Sequence, residues 1–460
     1  MVQHPLHVIV LAAGQGKRMN SDRPKVLQPV AGQPMLAHVL DAALALEPEA
    51  VTVVVGHAAD QVRALLAERN DRRLRDVEQS EQLGTGHAVM QALPAIDDQA
   101  RVLVLYGDMP LVRSATLAEL VGNPAGLAVM SFIAPDPSGY GRILRDGDRR
   151  VTGIREQRDA APEERAIDEV NSGVMIAAAA DLRRWLARVG NDNAQGEFYL
   201  TDCVALAVAD GVAVDALICP DPDEPAGAND MAQLAALEAV MQGRRRAALL
   251  AAGVRLPDPG SVQLRGPVQA GRDVVIDAGV VLEGEIELGD GVMIGAGCVL
   301  RNARLAAGTR VEPYSVLDGV ETTGACTIGP FARLRPGTVL AAGVKVGNFV
   351  ETKNARFESG AKASHLSYVG DAHVGAHANL GAGTITCNYD GVNKHRTEIG
   401  AEAFIGSNSA LVAPVTIGDW ATVGAGSVVS GRVPGDALTV VRARARSIPG
   451  WKRPPRKSGK

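Results

Sequence analysis

Aromatic residues make up only 3% of this chain, and its five cysteines, at 203, 219, 298, 326 and 387, include no C-x-x-C pair. A scattered, odd-numbered set of thiols excludes a disulfide framework and a zinc ribbon, and it fits a reducing, cytoplasmic setting. Positive charge is not in excess either. Lys and Arg total 47 against 52 Asp and Glu, for a net charge of −5 and a pI near 6.0. The basic footprint of a nucleic-acid binder is missing, so no nucleic-acid partner is expected. No apolar run approaches the ~18 residues of a membrane-spanning helix, so no membrane partner is expected. The start, MVQHPLHVIVLAAG, has no basic n-region and reads as a first strand, not a signal peptide.

What is present is enough apolar material for large cores, 46% of 460 residues, and many glycines, 51 in all. In the first half, strand-like runs (HVIVL, AVTVVVG, RVLVLYGD, GLAVMSF, GVMIA) alternate with helical spacing (AHVLDAALAL, DQVRALLAER, ATLAELV). Such alternation predicts a Rossmann-like α/β domain with a mostly parallel sheet, whose ligands bind beyond the carboxyl ends of the strands. This domain is assigned to residues 1–229. Residues 230–253 are rich in Ala, Leu, Met, Glu and Arg and predict a helical arm.

The remainder, 254–460, changes period. Apolar residues recur every six positions in three series: Ile276, Leu282, Leu288, Ile294, Leu300; then Ile328, Leu334, Leu340, Val346; then Ile399, Ile405, Leu411, Ile417, Val423, Val429. Six is neither the helical nor the simple strand period, and it predicts a parallel β-helix of hexapeptide repeats with the anchors stacked inside. Val374, Leu380 and Thr386 share a phase that Ile399 breaks, so CNYDGVNKHR is expected to leave the helix as a loop suited to carrying binding residues.

The residues that could carry chemistry fall in both halves. LAAGQGKRMNSDRPK follows the first strand directly. Gly14 and Gly16 can let the backbone approach phosphates, while Lys17, Arg18 and Lys25 supply positive charge. With Met19 at the third glycine position it is not a dinucleotide fingerprint, and it has no G-K-[ST]. An ordinary tight strand–helix turn is the plain alternative. Asp108 ends the apolar run RVLVLYGD, where a carboxylate can hold a hard Mg²⁺ that bridges phosphates, although many strand-end Asp residues only form turns. EQLGTGHA supplies another Gly-rich turn. In the second half, polar residues concentrate in FARLRPG, VGNFVETKNAR, ASHLSYVG and ANLGAGTITCNYDG. His365 is the natural general base there, and Arg335 and Lys353 offer an anion a fork and a point charge. Each could instead be a solvated surface group. Cys387 reads as a small buried residue. The tail carries Arg442, Arg444, Arg446, Lys452, Arg453, Arg456, Lys457 and Lys460 with no acidic residue, and is either a solvated end or an attractor of coenzyme A phosphates.

LAAGQGKRM…PK, EQLGTGHA, YGD, GYGRI and NSG together resemble the sugar-phosphate nucleotidyltransferases. With the hexapeptide repeats attached, the chain from about residue 6 to 455 resembles the bacterial bifunctional N-acetylglucosamine-1-phosphate uridylyltransferases/glucosamine-1-phosphate N-acetyltransferases. That resemblance implies a left-handed β-helix and a set of roles. Leu11, Ala12, Ala13, Gly14, Lys25, Gln79, Gly84, Thr85, Tyr106 and Gly107 would meet the uridine nucleotide. Asp108 and Asn229 would hold Mg²⁺, and Gly141, Glu156 and Asn171 the sugar. His365 would be the base, with Arg335, Lys353, Tyr368 and Asn379 around glucosamine 1-phosphate. Ala382, Asn388, Tyr389, Ser407, Ala425 and Arg442 would line the acetyl-CoA site. The resemblance also implies UTP, acetyl-CoA, glucosamine 1-phosphate and N-acetylglucosamine 1-phosphate as ligands, a cytoplasmic location and a homotrimer. The chain departs from the family pattern at Lys17, where relatives carry a smaller residue, and at Arg442, which sits in an RARAR run. Two other readings remain: a β-helix that only spaces or regulates, and a zinc site using His373 and His377.

Overall fold

The computed structural model describes residues 4–14 and 16–453. The side chain of Lys17 and the tail positions Arg456, Lys457 and Lys460 lie outside the described residues. The chain divides into two compact units, 1–244 and 245–460.

The first unit is built on one sheet, in the order Val214–Ile218, Leu127–Ile133, Glu169–Ala178, Arg101–Tyr106, Leu6–Leu11, Ala50–Val55, Leu74–Glu78. All neighbours are parallel except Glu169–Ala178, which runs antiparallel to both strands beside it. The five strands read from the sequence are all present. Four of this sheet's strands were not: Arg142–Arg145 and Val151–Arg155, an antiparallel pair that joins the sheet beside Glu169–Ala178, and Leu74–Glu78 and Val214–Ile218, which are the edges of the order just given. The half-solvated faces of these edges carry residues such as Arg75, Asp76 and Asp215, so they lack the continuous apolar run of buried parallel strands. Helices Met35–Leu44 and Ser114–Val121 pack on one face of the sheet, Thr85–Ala92 and Ala179–Leu186 on the other, giving two apolar layers. From Leu6–Leu11 the chain first builds outward through Ala50–Val55 to Leu74–Glu78, then returns to pair Arg101–Tyr106 on the opposite side. The strand order therefore reverses between Leu6–Leu11 and Arg101–Tyr106, and a crevice opens past their carboxyl ends.

Helix Met231–Ala251 spans the boundary between the units. In the first unit, its Leu237 is buried with Met19, Val30 and Met35, Glu238 accepts from Ala31 N–H at 2.5 Å, and Arg244 donates to Leu111 O at 2.6 Å. In the second, Arg245 and Arg246 donate to carbonyls at Leu264 and Gly260.

The second unit is a left-handed parallel β-helix. Register partners along one column run Val281, Val299, Val316, Arg333, Glu351, Tyr368, Ile385 and Ala410, so each coil takes 17 or 18 residues until the last of these steps. Every anchor of the three six-residue series is buried in one continuous core, with Val374, Leu380 and Thr386. The series break where a coil shortens. Leu300 to Leu305, Val369 to Val374 and Thr352 to Phe357 are five-residue steps between buried side chains, and the corners at Asn302, Asn354 and Asp371 take positive φ to absorb the lost residue. The last step, Ile385 to Ala410, is lengthened by the loop after Cys387, which leaves the helix and returns through a bridge between Tyr389 and Lys394.

All five cysteines are free. Burial pushes the Cys298 and Cys326 thiols up to about 11, which keeps them protonated and unreactive. Cys387 is half-buried, not buried as expected, because it opens the excursion out of the core. No described helix is long and apolar enough to cross a membrane.

Candidate functional sites

In the first unit, Leu11 and Tyr106 are register partners on adjacent parallel strands, so the residues that follow each strand emerge side by side at the reversal point. Leu11, Ala12 and Ala13 are buried and Gly14 is exposed at the rim. Gly107 lies so close to the first strand that a Cβ there would stand 3.2 Å from Leu11 O. One cleft of about 220 Å³ is lined by Leu11, Ala13, Gly14, Gln79, Gly84, Thr85 and Tyr106, joined by Gln82 and Glu197. Gly84 precedes helix Thr85–Ala92 with φ +109°, and a Cβ would meet Phe198 O at 2.7 Å, so this glycine is dictated by both dihedral and space. Gln79 is buried and its amide donates to Gly84 O at 3.1 Å, tying the turn to the strand end.

A second cleft of about 350 Å³ shares Tyr106 and is lined by Arg18, Asp108, Tyr140, Ser172, Gly227 and Asn229. Here Lys25 Nζ donates to Asp108 Oδ2 at 2.5 Å and to Asn229 Oδ1 at 3.1 Å, with Lys25 and Asp108 both mostly buried. Two hard oxygen donors from distant parts of the chain therefore converge on a single cation. That is the donor chemistry Mg²⁺ takes when it is held by one or two protein oxygens and the substrate phosphates, so these residues fit the metal. Gly227 packs against Asp108, where a Cβ would stand 3.3 Å from its carboxylate.

The residues expected to hold the sugar gather beside Tyr106. Asn171 N–H donates to Gly141 O at 2.8 Å, and the Gly141 Cα faces Glu156. The Asn171 side-chain carbonyl is buried with no hydrogen-bond partner among the described residues. Burial pushes the Glu156 carboxyl above its usual range, with Asp202 and Asp159 adding to the shift against a hydrogen bond from Thr201 at 2.9 Å. Burial likewise raises the Tyr106 phenol. Gly173, with φ +92°, leaves room for the Tyr106 ring, which a Cβ would meet at 2.5 Å. The NSG segment thus supplies both an acceptor and the space for an aromatic wall. Gly173 and Tyr140 were missed as site residues although each lies inside a motif that the sequence shows, NSG and GYGRI.

In the β-helix, the expected residues fall into a column and a cluster. The column follows one corner through successive coils: Leu366 N donates to Asn348 O, Gly383 N to Leu366 O, Asn408 N to Ala382 O, and Gly426 N to Ser407 O. His365, Ala382, Ser407 and Ala425 are thereby aligned, and the Cβ position of Gly426 comes within 3.8 Å of Arg442. The residues around Arg442 are exposed and lie outside any helix or strand. His365 is exposed, and its Nδ1 lies 2.8 Å from Asn348 Oδ1.

The cluster lies on the adjoining face. Arg335 donates to Glu351 at 2.9 Å, Lys353 stands on strand Glu351–Phe357, and Asn388 donates to Asp371 at 2.5 Å and to Tyr368 OH at 3.5 Å. Tyr389 is exposed, its hydroxyl bonded to Gly391 O. Lys394, on the same excursion, comes against Lys353 and, with Arg335, holds the Lys353 ammonium below its usual range. The sequence offered no signal for Lys394 beyond its position in the loop. Asn379 is not brought to His365: it opposes Lys362, at the other end of that strand. His373 and His377 do not converge on a metal. His373 sits between Glu358 and Glu398, 3.2 Å from each, while His377 turns a corner at φ +57°.

Comparison with known proteins agrees with this geometry at both ends of the chain. Residues 8–194 match the MobA-like NTP transferase domain, and 271–302 and 396–431 match the bacterial transferase hexapeptide (six repeats). A Bifunctional protein GlmU from Xanthomonas axonopodis pv. citri is 56% identical over 454 residues, 99% of each chain. The chain belongs to the bifunctional GlmU family. Proteins of the same name from Stenotrophomonas maltophilia, 55% identical over 99% of each chain, and Alkalilimnicola ehrlichii, 57% identical over 98% of this chain and 97% of its own, extend the likeness. As a GlmU-family chain it is a two-activity transferase of UDP-N-acetylglucosamine synthesis, with uridylyl transfer in one domain and acetyl transfer in the other.

Proposed function

We propose that this chain acetylates the amine of glucosamine 1-phosphate from acetyl-CoA on its β-helix, then joins the product to UTP in the crevice of the α/β unit, releasing pyrophosphate. The observation that carries the reading is the convergence of Asp108 and Asn229 on one cation beside the Tyr106 clefts. It gives this end of the sheet the means to grip a nucleotide's phosphates.

In the first unit, Leu11 to Gly14, Gln79, Gly84, Thr85 and Gly107 receive the uridine nucleotide, and Asn171, Gly141 and Glu156 orient the sugar. Asp108 and Asn229 would hold Mg²⁺, whose chemistry there would be to neutralise phosphate charge. Lys25 and Arg18 bind the phosphates, and Lys25 turns from the carboxylate to do so. The protein's contribution is position and charge, since the phosphoryl oxygen of the sugar is itself the nucleophile.

In the second unit, His365 takes a proton from the amine as its nitrogen attacks the thioester carbon, and coenzyme A leaves as the thiol. Arg335, Lys353 and Lys394 hold the sugar's phosphate, with Tyr368 beside them. Ala382, Asn388, Tyr389, Ser407, Ala425 and Arg442 line the path of acetyl-CoA. The hexapeptide repeats are compatible with a homotrimer, which belongs to this reading. The enzyme works in the cytoplasm, a reducing setting that its five free cysteines suit.

The test is a coupled assay on purified protein with glucosamine 1-phosphate, acetyl-CoA, UTP and Mg²⁺, following free thiol and pyrophosphate separately. Both products are expected, and omission of acetyl-CoA should stop pyrophosphate release. Pyrophosphate formed only from supplied N-acetylglucosamine 1-phosphate, with no thiol, would make the β-helix a spacer and overturn the reading.

A further inference from the structure

Asn348 and His365 are register partners on neighbouring parallel strands, Lys345–Asn348 and Lys362–His365. Each is the last residue of its strand, and each is followed by a corner residue of positive φ, Phe349 at 56° and Leu366 at 48°. The backbone fixes their separation closely. Gly347, one residue before Asn348, lies so near the next coil that a Cβ would stand 1.9 Å from Ser364 O. Any other residue there would push the coils apart and carry Asn348 away from the imidazole. Past the corner, Leu366 N donates to Asn348 O at 3.0 Å, and the buried Ser367 hydroxyl donates to His365 O at 2.8 Å. His365 is thus held along its main chain from both sides, and only rotation of its ring is left to control.

That control comes from one direction. Asn348 Oδ1 lies 2.8 Å from His365 Nδ1, whereas the equivalent position in the following coil, Ala382, offers only a methyl group. The charged groups on the two packed strands, Lys345 and Lys362, stand at their opposite ends. A carboxamide oxygen can only accept, so the nitrogen facing it must carry the proton. The other nitrogen is then left with its lone pair.

We propose that Asn348 is a positioning residue for acetyl transfer, holding His365 as the Nδ1–H tautomer so that Nε2 meets the substrate amine. The inference rests on the reading of His365 as the general base. In the step itself the amine nitrogen bonds to the acyl carbon, its proton passes to Nε2, and the carbon–sulfur bond breaks. The departing thiolate then takes up a proton. Throughout, Nδ1–H stays on Asn348, and the neutral amide orients the ring without adding charge.

The experiment compares full-length Asn348→Ala, Asn348→Asp and His365→Ala with the unaltered enzyme, measuring thiol release across pH and pyrophosphate release in parallel. Asn348→Ala should lower kcat of acetyl transfer roughly 10–100-fold with little change in KM for either substrate, since the base is misaligned and substrate binding is not. Asn348→Asp should recover much of the rate and move the acidic limb of kcat/KM to higher pH, because a carboxylate favours the imidazolium. Pyrophosphate release from supplied N-acetylglucosamine 1-phosphate should be unchanged in all three. Normal kcat in Asn348→Ala beside an inactive His365→Ala would overturn the positioning role and leave the base in place. So would an Asn348→Asp variant as slow as the alanine one with its acidic limb unmoved. An active His365→Ala would overturn the base itself, and the inference with it.

Discussion

The two units solve the same problem, placing polar residues from distant parts of the chain around a phosphate, by different means. The α/β unit uses one reversal of strand order, so everything that binds must arrive at a single crevice at the end of the sheet. The β-helix has no such end. Its sites form wherever successive coils happen to stack suitable residues, and the neighbour of a side chain is set by coil length. In the first unit the chemistry therefore sits in short local motifs. In the second it is spread through residues 17 or 18 apart, as Asn348 is from His365 and Glu351 from Tyr368.

If the two sites are independent, a crossed pair of substitutions gives the largest effect. Asp108→Ala should reduce pyrophosphate release at least ~10³-fold and leave thiol release intact, whereas His365→Ala should cut thiol release by ~10²–10⁴ and leave pyrophosphate formation intact. Loss of both products in either variant would break the comparison.

The next effect probes the repeat. Leu334 is fully buried in the β-helix core, and Leu334→Ala should destabilise that unit by ~2–5 kcal/mol. On heating, acetyl transfer should be lost at a lower temperature than in the unaltered protein while uridylyl transfer keeps its own midpoint. A common shift of both midpoints would show that the units do not respond separately.

A smaller change should follow at the first site. With Lys25 resting on Asp108 and Asn229, a divalent ion must compete with an ammonium group. Lys25→Ala should therefore tighten binding of Mn²⁺ alone by about fivefold, the scale of a weak ion pair, while weakening UTP. Titration of free Mn²⁺ by electron paramagnetic resonance measures the first effect without turnover. Weaker Mn²⁺ binding in the variant would show that Lys25 supports the metal site instead of competing for it.

The smallest concerns stability. Burial holds the Glu156 carboxyl above its usual range, so the ionised form opposes folding. That penalty appears as pH rises from the unfolded-state value towards the raised folded one, and it is fully present above both. Glu156→Gln should accordingly raise the Tm of the first unit by about 2 °C at pH 7, with no gain at pH 3, while weakening N-acetylglucosamine 1-phosphate binding. Calorimetry at the two pH values checks the sign.

The same contrast explains what could be read in advance. The α/β alternation, Asp108 at its strand end and the Gly-rich turns were legible because a buried parallel strand and a tight turn each demand particular residues locally. Edge strands such as Leu74–Glu78 were not, since one solvated face relaxes that demand. The hexapeptide series was legible as long as its step stayed at six, and it vanished where five-residue steps reset the phase.

The sequence by itself determined the two architectures, the inward-facing anchors and the motifs that bound phosphate-handling chemistry to the first unit. Tertiary structure alone decided that Asn229 meets Asp108 across Lys25, that Gly173 makes room for Tyr106, that Lys394 folds back onto Lys353, and that Asn348 stands against His365. The physical reason is that these partners are chosen by sheet order and coil register. Both are properties of the whole packed core, and neither leaves a periodic mark on the residues it brings together.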